Sequence, residues 1–191
     1  MHQSTNTDGS LFVYEWSRHP LCRYNHFRSL IGDLQYLAIT HPDIQFAINR
    51  VAQRMHQLSE HDYHCLKHIL RYIFGTLSRG LLIRTGDLEL RGFSDSNWAN
   101  DKNDKKSTSG FLVFMGPNLI SWCTKKQPKV SRSSTEAKYR ALALLAAETM
   151  WVTYILRELR ATHTVPALYC DNKSTNLCGQ EFRPTHQNEA C

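Results

Sequence analysis

Three acidic residues stand out by their position in the chain. Asp95 closes the alternating stretch Leu88-Glu89-Leu90-Arg91-Gly92-Phe93-Ser94-Asp95. Glu136 falls in the first turn of a segment with helical apolar spacing, and Asp171 ends the short run Ala167-Leu168-Tyr169-Cys170. Carboxylates brought together repel one another unless a cation joins them. Hard divalent cations such as Mg²⁺ take oxygen ligands and keep part of their water. Two such ions about 4 Å apart can hold the attacking water and the leaving oxygen of a phosphodiester displacement. The same residues also have ordinary structural uses. Asp after a strand forms turns, Glu in a first helical turn favours the helix dipole, and Asp171-Asn172 reads as a plain turn pair.

The elements needed to position these acids can be read from the spacing. Leu88 to Asp95 alternates as a strand, Gly110 to Met115 reads as a second, and Leu119 to Thr124 as a third, with Gly116-Pro117-Asn118 as a turn. A long helix follows, capped by Ser133 or Ser134 and ending near Arg160. Its apolar stripe is Ala137, Ala141, Leu144, Leu145, Trp151, Ile155 and Leu159. Ala167 to Cys170 reads as a fourth strand, and Ser174 to Gly179 as a short helix. A connection this long predicts a crossover that lays the fourth strand parallel to the first. Asp95 and Asp171 would then sit side by side at the C-terminal edge of the sheet, where α/β proteins commonly place ligands. A helix packed across the sheet could bring Glu136 to the same place.

The first half of the chain has a different pattern. Leu30, Ile31, Leu34 and Leu37 recur at helical spacing, as do Ile44, Ala47, Ile48, Val51 and Met55 after Pro42. Leu66, Ile69, Leu70 and Ile73 form a third stripe, with Ser59 as its N-cap and Gly75 as its stop. The expected division is a poorly defined lead-in at 1–21, a helical segment at 22–87 and an α/β domain at 88–191.

Composition sets bounds on the function. The chain has 191 residues, 41% of them hydrophobic, which suits one large or two small globular domains. The longest run of hydrophobic residues is Ala141 to Ala147, far short of the roughly 20 needed to span a bilayer. The polar start Met1-His2-Gln3-Ser4-Thr5-Asn6-Thr7 lacks the apolar core of a secretory signal, so an intracellular protein with no membrane partner is expected. The six cysteines contain no Cys-x-x-Cys pair, which argues against a zinc finger and for reduced thiols. Eight of the ten histidines lie in residues 1–87, where His61 and His64 read as polar side chains on a solvent-facing side of a helix. Of the net charge of +6, +4 belongs to residues 88–191. The densest basic stretch is Lys125-Lys126-Gln127-Pro128-Lys129-Val130-Ser131-Arg132, with no acid inside it. It reads either as a solvated loop or as a loop that contacts phosphates.

Longer motifs then narrow the reading. Gly92-Phe93-Ser94-Asp95-Ser96-Asn97-Trp98-Ala99 is followed by Asp104-Lys105-Lys106-Ser107-Thr108-Ser109-Gly110-Phe111. After these come Ile120-Ser121-Trp122, Lys125-Lys126-Gln127, Ser131-Arg132-Ser133-Ser134-Thr135-Glu136-Ala137, Tyr139-Arg140-Ala141-Leu142-Ala143 and Leu168-Tyr169-Cys170-Asp171-Asn172. In this order they resemble the ribonuclease H domain of copia-type LTR retrotransposon Pol polyproteins. Upstream, Arg28-Ser29-Leu30-Ile31-Gly32, Leu34-Gln35-Tyr36-Leu37, Pro42-Asp43-Ile44, Asn49-Arg50-Val51 and Leu70-Arg71-Tyr72 resemble the C-terminal tail of the reverse transcriptase that precedes it.

The resemblance implies a ribonuclease H-like mixed sheet with a long crossover helix, preceded by a helical segment. It implies metal-dependent endonucleolytic cleavage of RNA in an RNA–DNA hybrid, with two Mg²⁺ or Mn²⁺ ions in an intact site. Carried over by motif, Asp95, Glu136 and Asp171 match catalytic, metal-binding acids, and the rest of the Pol polyprotein is the expected protein partner. Ser134 and Asn172 are candidates for reading the hybrid, beside Lys125, Lys126, Lys129 and Arg132. Ser133 and Thr135 adjoin them, with capping as their ordinary role.

Two departures qualify this picture. The family continues past Asp-Asn into a further strand, a helix and a fourth acid, whereas here the tail is Gln187-Asn188-Glu189-Ala190-Cys191. Lys138 stands where the family commonly has Glu. A C-terminally truncated domain with weak or absent cleavage is the expectation. The alternatives are a remnant that binds nucleic acid without cutting it, and a non-functional fragment of a decayed element.

Overall fold

A computed structural model describes residues 20–56, 58–162 and 164–171, with side chains from residue 25 onward. The helix expected at Ser174 to Gly179 and the candidate Asn172 lie outside these residues. The chain divides after Gly80 into two compact units.

The first unit is helical, with α1 (Pro20–Leu37), α2 (Pro42–Ala52) and α3 (Glu60–Gly75). Phe27, Ile31 and Leu34 line one side of α1. They meet Ile44, Ile48 and Val51 of α2 and Leu66 and Ile69 of α3 in one apolar core. The ring of Phe27 stands edge-on to Tyr63 at 5.1 Å. Pro42 sits in the first turn of α2, where its missing N–H costs nothing. Ser59 caps α3 as the sequence predicts, in a reciprocal capping box. Its hydroxyl accepts from the Asp62 N–H at 3.3 Å, and the Asp62 carboxylate accepts from the Ser59 N–H at 2.9 Å. Asp62 is only 2% exposed. Burial pushes its carboxyl up, but the bonds from Ser59 and the charge of Arg54 outweigh this and hold it below the ordinary value. The Tyr72 hydroxyl donates to Asp43 at 2.7 Å, tying α3 to the start of α2.

The second unit is mixed α/β. Its strands are β1 (Leu90–Asn97), β2 (Thr108–Met115), β3 (Asn118–Lys126) and β4 (Ala167–Cys170), and α4 (Ser134–Glu158) lies between the last two. The sheet order is β3-β2-β1-β4. The first three strands form an antiparallel meander, and β4 pairs parallel to β1. The expected crossover is thus present. The strands run past their apolar residues, however. Asn97 pairs with Thr108 and Ser96 with Ser109, so Asp95 lies two residues inside β1 instead of ending it. Polar residues extend the ladder there because backbone pairing does not depend on side-chain polarity.

Burial alternates along β1. Leu90, Gly92, Ser94 and Ser96 are buried, while Phe93, Asp95 and Asn97 are exposed. The buried set faces α4. A Cβ on Gly92 would come within 2.7 Å of Leu145 and 2.9 Å of Leu168, so glycine is what lets the helix approach this closely. The buried row of α4 is Ala137, Ala141, Leu145, Thr149 and Leu156. Leu144, Trp151, Ile155 and Leu159 of the expected stripe are exposed, because the small alanines bring a single narrow row onto the sheet. On the other sheet face Phe93 stacks on Tyr169 at 5.1 Å. The turn from β2 to β3 needs Gly116, whose φ is +55° and whose Cβ would stand 2.6 Å from the Asp87 carbonyl oxygen. No helix among the described residues is long and apolar enough to cross a membrane. Cys65, Cys123 and Cys170 are free.

Candidate functional site

Parallel pairing sets the first pair of acids. Ser94 is in register with Cys170, so the residues that follow them, Asp95 and Asp171, emerge at the same edge of adjacent strands. Both are open to solvent, with side chains 65% and 67% exposed. Asp95 accepts a bond from the N–H of Ser96 at 2.7 Å.

A lysine joins the two. Lys138, on the second turn of α4, hydrogen-bonds Asp171 and stands 3.8 Å from Asp95. Its own side chain is only 19% exposed. The hydrogen bond to Asp171, with the charges of Asp171 and Asp95, raises its pKa above the ordinary lysine value against the opposing effect of burial.

Glu136 is placed elsewhere. One carboxylate oxygen pairs with Arg140 at 2.6 Å, and the other accepts from the Arg132 N–H at 2.7 Å. Its own N–H donates to the Ser133 hydroxyl at 3.1 Å. Glu136 thereby completes the cap of α4 together with Ser133. Among the described residues no three His, Cys, Asp or Glu side chains come together as a metal-holding group. The structure therefore brings Asp95 and Asp171 together and does not bring Glu136 to them. As arranged, the donor set does not suit a divalent ion, because an ammonium bridges the two carboxylates and the third acid has both oxygens engaged.

The basic loop shows a similar division of roles. Lys126 pairs with Asp101 at 2.5 Å and Asp104 at 2.9 Å. The hydrogen bond from Lys126 lowers the pKa of both aspartates, and that to Asp101 leads the rise in Lys126. Lys126 thus holds the 101–106 turn. Lys125, Lys129 and Arg132 are exposed, and so is Ser134 at the start of α4. The carbonyl of Lys129 accepts from Arg140 at 3.0 Å.

One residue that shapes this region carries no charge and escaped the sequence reading. Gln127 is 3% exposed. Its amide donates to Ser109 at 2.8 Å and to the Ala137 carbonyl at 2.9 Å, and its carbonyl accepts from Ser131 at 2.7 Å. Its backbone N–H donates to the Ser107 carbonyl at 2.8 Å. The Trp98 indole adds a bond to the Ser131 carbonyl at 2.9 Å. Gln127 thus ties β2, the basic loop and the start of α4 into one unit. The signals in the sequence are its place in the motif Lys125-Lys126-Gln127 and an uncharged amide inside a basic run, directly before Pro128.

Over 155 residues, 80% of its length, the chain is 46% identical to the retrovirus-related Pol polyprotein from transposon RE1 of Arabidopsis thaliana. It is 44% identical over 156 residues to that from transposon RE2 of the same plant. Most of the chain is thus similar to one part of retrovirus-related Pol polyproteins. It spans 11% of the length of these two Pol relatives. It also matches a much smaller protein, the secreted RxLR effector protein 161 of Plasmopara viticola, at 35% identity over 136 residues. That match takes in 70% of this chain and 96% of the effector. No family model matches the chain. No solved structure matches it.

Proposed function

We propose that residues 88–191 are the ribonuclease H-type unit of a Pol polyprotein, and that its partner is an RNA–DNA hybrid whose RNA strand it hydrolyses slowly. The observation that carries this reading is the placement of Asp95 and Asp171 at one edge of two adjacent parallel strands. They lie within the motif run that resembles the ribonuclease H of this family. The exposed Lys125, Lys129 and Arg132 supply charge for the phosphate backbone. The chain's own residues hold the strands, the loop and the two carboxylates in place.

The test is a labelled hybrid incubated with the chain and Mn²⁺ or Mg²⁺. Slow, metal-dependent shortening of the RNA strand, lost in Asp95→Asn, is the expected result. Cleavage that survives Asp95→Asn would place the activity elsewhere or in a contaminant.

A second reading, binding without cleavage, is favoured by the engagement of all three acids with cationic or backbone donors. It predicts hybrid retention with a steep salt dependence and no RNA products under any metal.

A further inference from the structure

We infer that Lys138 is a tethered cation that occupies the place between Asp95 and Asp171, so that a divalent ion reaches this pair only by displacing it. The inference rests on the proposed function insofar as it concerns the same two acids, but it is a statement about binding and stands or falls separately.

The geometry carries it. The ammonium is hydrogen-bonded to Asp171 and lies 3.8 Å from Asp95, so one charge serves both carboxylates. The lysine stem rises from α4, whose start is fixed by Ser133 and Glu136 and by the bond from Gln127 to the Ala137 carbonyl. The ammonium is therefore delivered by an anchored element. Its side chain is 19% exposed, while the acids it joins are about two-thirds exposed. The carboxylates can thus be reached from solvent on their outer side, whereas the inner position between them is filled. A divalent ion coordinating both acids would have to break a charge-assisted bond and leave an ammonium beside a dication. Glu136 offers no compensation, because Arg140 and the Arg132 N–H hold its oxygens.

The test measures Mn²⁺ binding by electron paramagnetic resonance on the full chain. The wild type is compared with Lys138→Met, which keeps the apolar stem, and Lys138→Arg, which keeps the charge. Lys138→Met is expected to bind Mn²⁺ about tenfold more tightly or better, the equivalent of removing one charge-assisted competitor. Lys138→Arg should stay near the wild type. Adding Asp95→Asn to Lys138→Met should erase the gain. Equal affinity of the wild type and Lys138→Met would overturn the inference, and so would a gain that persists in the double variant.

A measurement on the unsubstituted chain guards against a variant that fails to fold. Carbodiimide coupling followed by peptide mapping should yield an amide link between Lys138 and Asp171 or Asp95. Absence of any such link would also overturn the inference. Hybrid cleavage is scored in parallel. A Lys138→Met chain that gains Mn²⁺ but leaves the hybrid intact upholds the tethered cation and sinks the ribonuclease reading. A chain that cleaves the hybrid with unchanged Mn²⁺ affinity does the reverse.

Discussion

In the helical unit the buried side chains are mostly large and apolar, with Phe27, Ile31, Ile48 and Leu66 fully enclosed. Among the described residues its one buried charge, Asp62, completes the cap of its own helix. In the α/β unit the apolar core is smaller, made of Leu90, Val113, Leu145 and Leu156. Beside it lie buried Ser107, Ser109, Asn118, Gln127, Ser131 and Thr149. Apolar packing is non-directional and fixes which faces meet. Hydrogen bonds fix where a loop goes. The unit that carries the candidate chemistry is the one that keeps polar groups inside, and Gln127 with Ser107, Ser109 and Ser131 holds the basic loop and the start of α4. The acids differ in the same way. Asp62 is enclosed and structural, whereas Asp95 and Asp171 are open to solvent and meet a cation from another element.

Substitutions can sharpen or break this contrast. The largest effect is expected from Ile48→Ala, which opens a cavity in the helical core at a cost of about 2–5 kcal/mol. Hydrogen exchange should show lost protection across α2 and α3. Gln127→Leu, close in volume, should cost about 1–3 kcal/mol by orphaning its buried partners. Its distinctive sign is faster amide exchange across residues 125–137. If Leu at 127 is tolerated with that exchange unchanged, the buried amide does not organise the loop.

A smaller effect separates the units by pH. The folded pKa of Asp62 lies below its ordinary value of 3.8, so its contribution is present above that pH and is lost as pH falls through the folded pKa. Acid titration of helical-unit stability should therefore show a decline below about pH 4. Ser59→Ala should lower stability near neutral pH by about 1 kcal/mol and flatten that decline. An unchanged acid limb would contradict the capping-box account. The smallest effect belongs to Ser94→Ala. Among the described residues the Ser94 hydroxyl, which is buried, has no hydrogen-bond partner, so its removal should leave stability unchanged or raise it by less than about 1 kcal/mol. A clear loss in thermal unfolding would mean that the hydroxyl has a partner after all.

Much of the fold could be read from local chemistry. The cap at Ser59, the Pro42 start, the meander and the parallel fourth strand all follow from spacing and connection length. The strand ends could not be, because Asn97 and Thr108 pair through their backbones and leave no apolar signature. The stripe of α4 was only partly legible, since periodicity cannot distinguish Leu145, which faces the sheet, from Leu144 beside it, which does not. At the candidate site the meeting of Asp95 and Asp171 followed from topology. The turning of Glu136 toward Arg140 and the reach of Lys138 did not, because both are choices of side-chain rotamer. Gln127 was missed because its role depends on four partners scattered from Ser107 to Ala137.

That scatter has an evolutionary consequence. A residue bonded at once to a strand, a loop and a helix start cannot drift alone, because each single change strands the others. Variation at position 127 should therefore arrive in concert with changes at 109 and 131, as a correlated set across related chains.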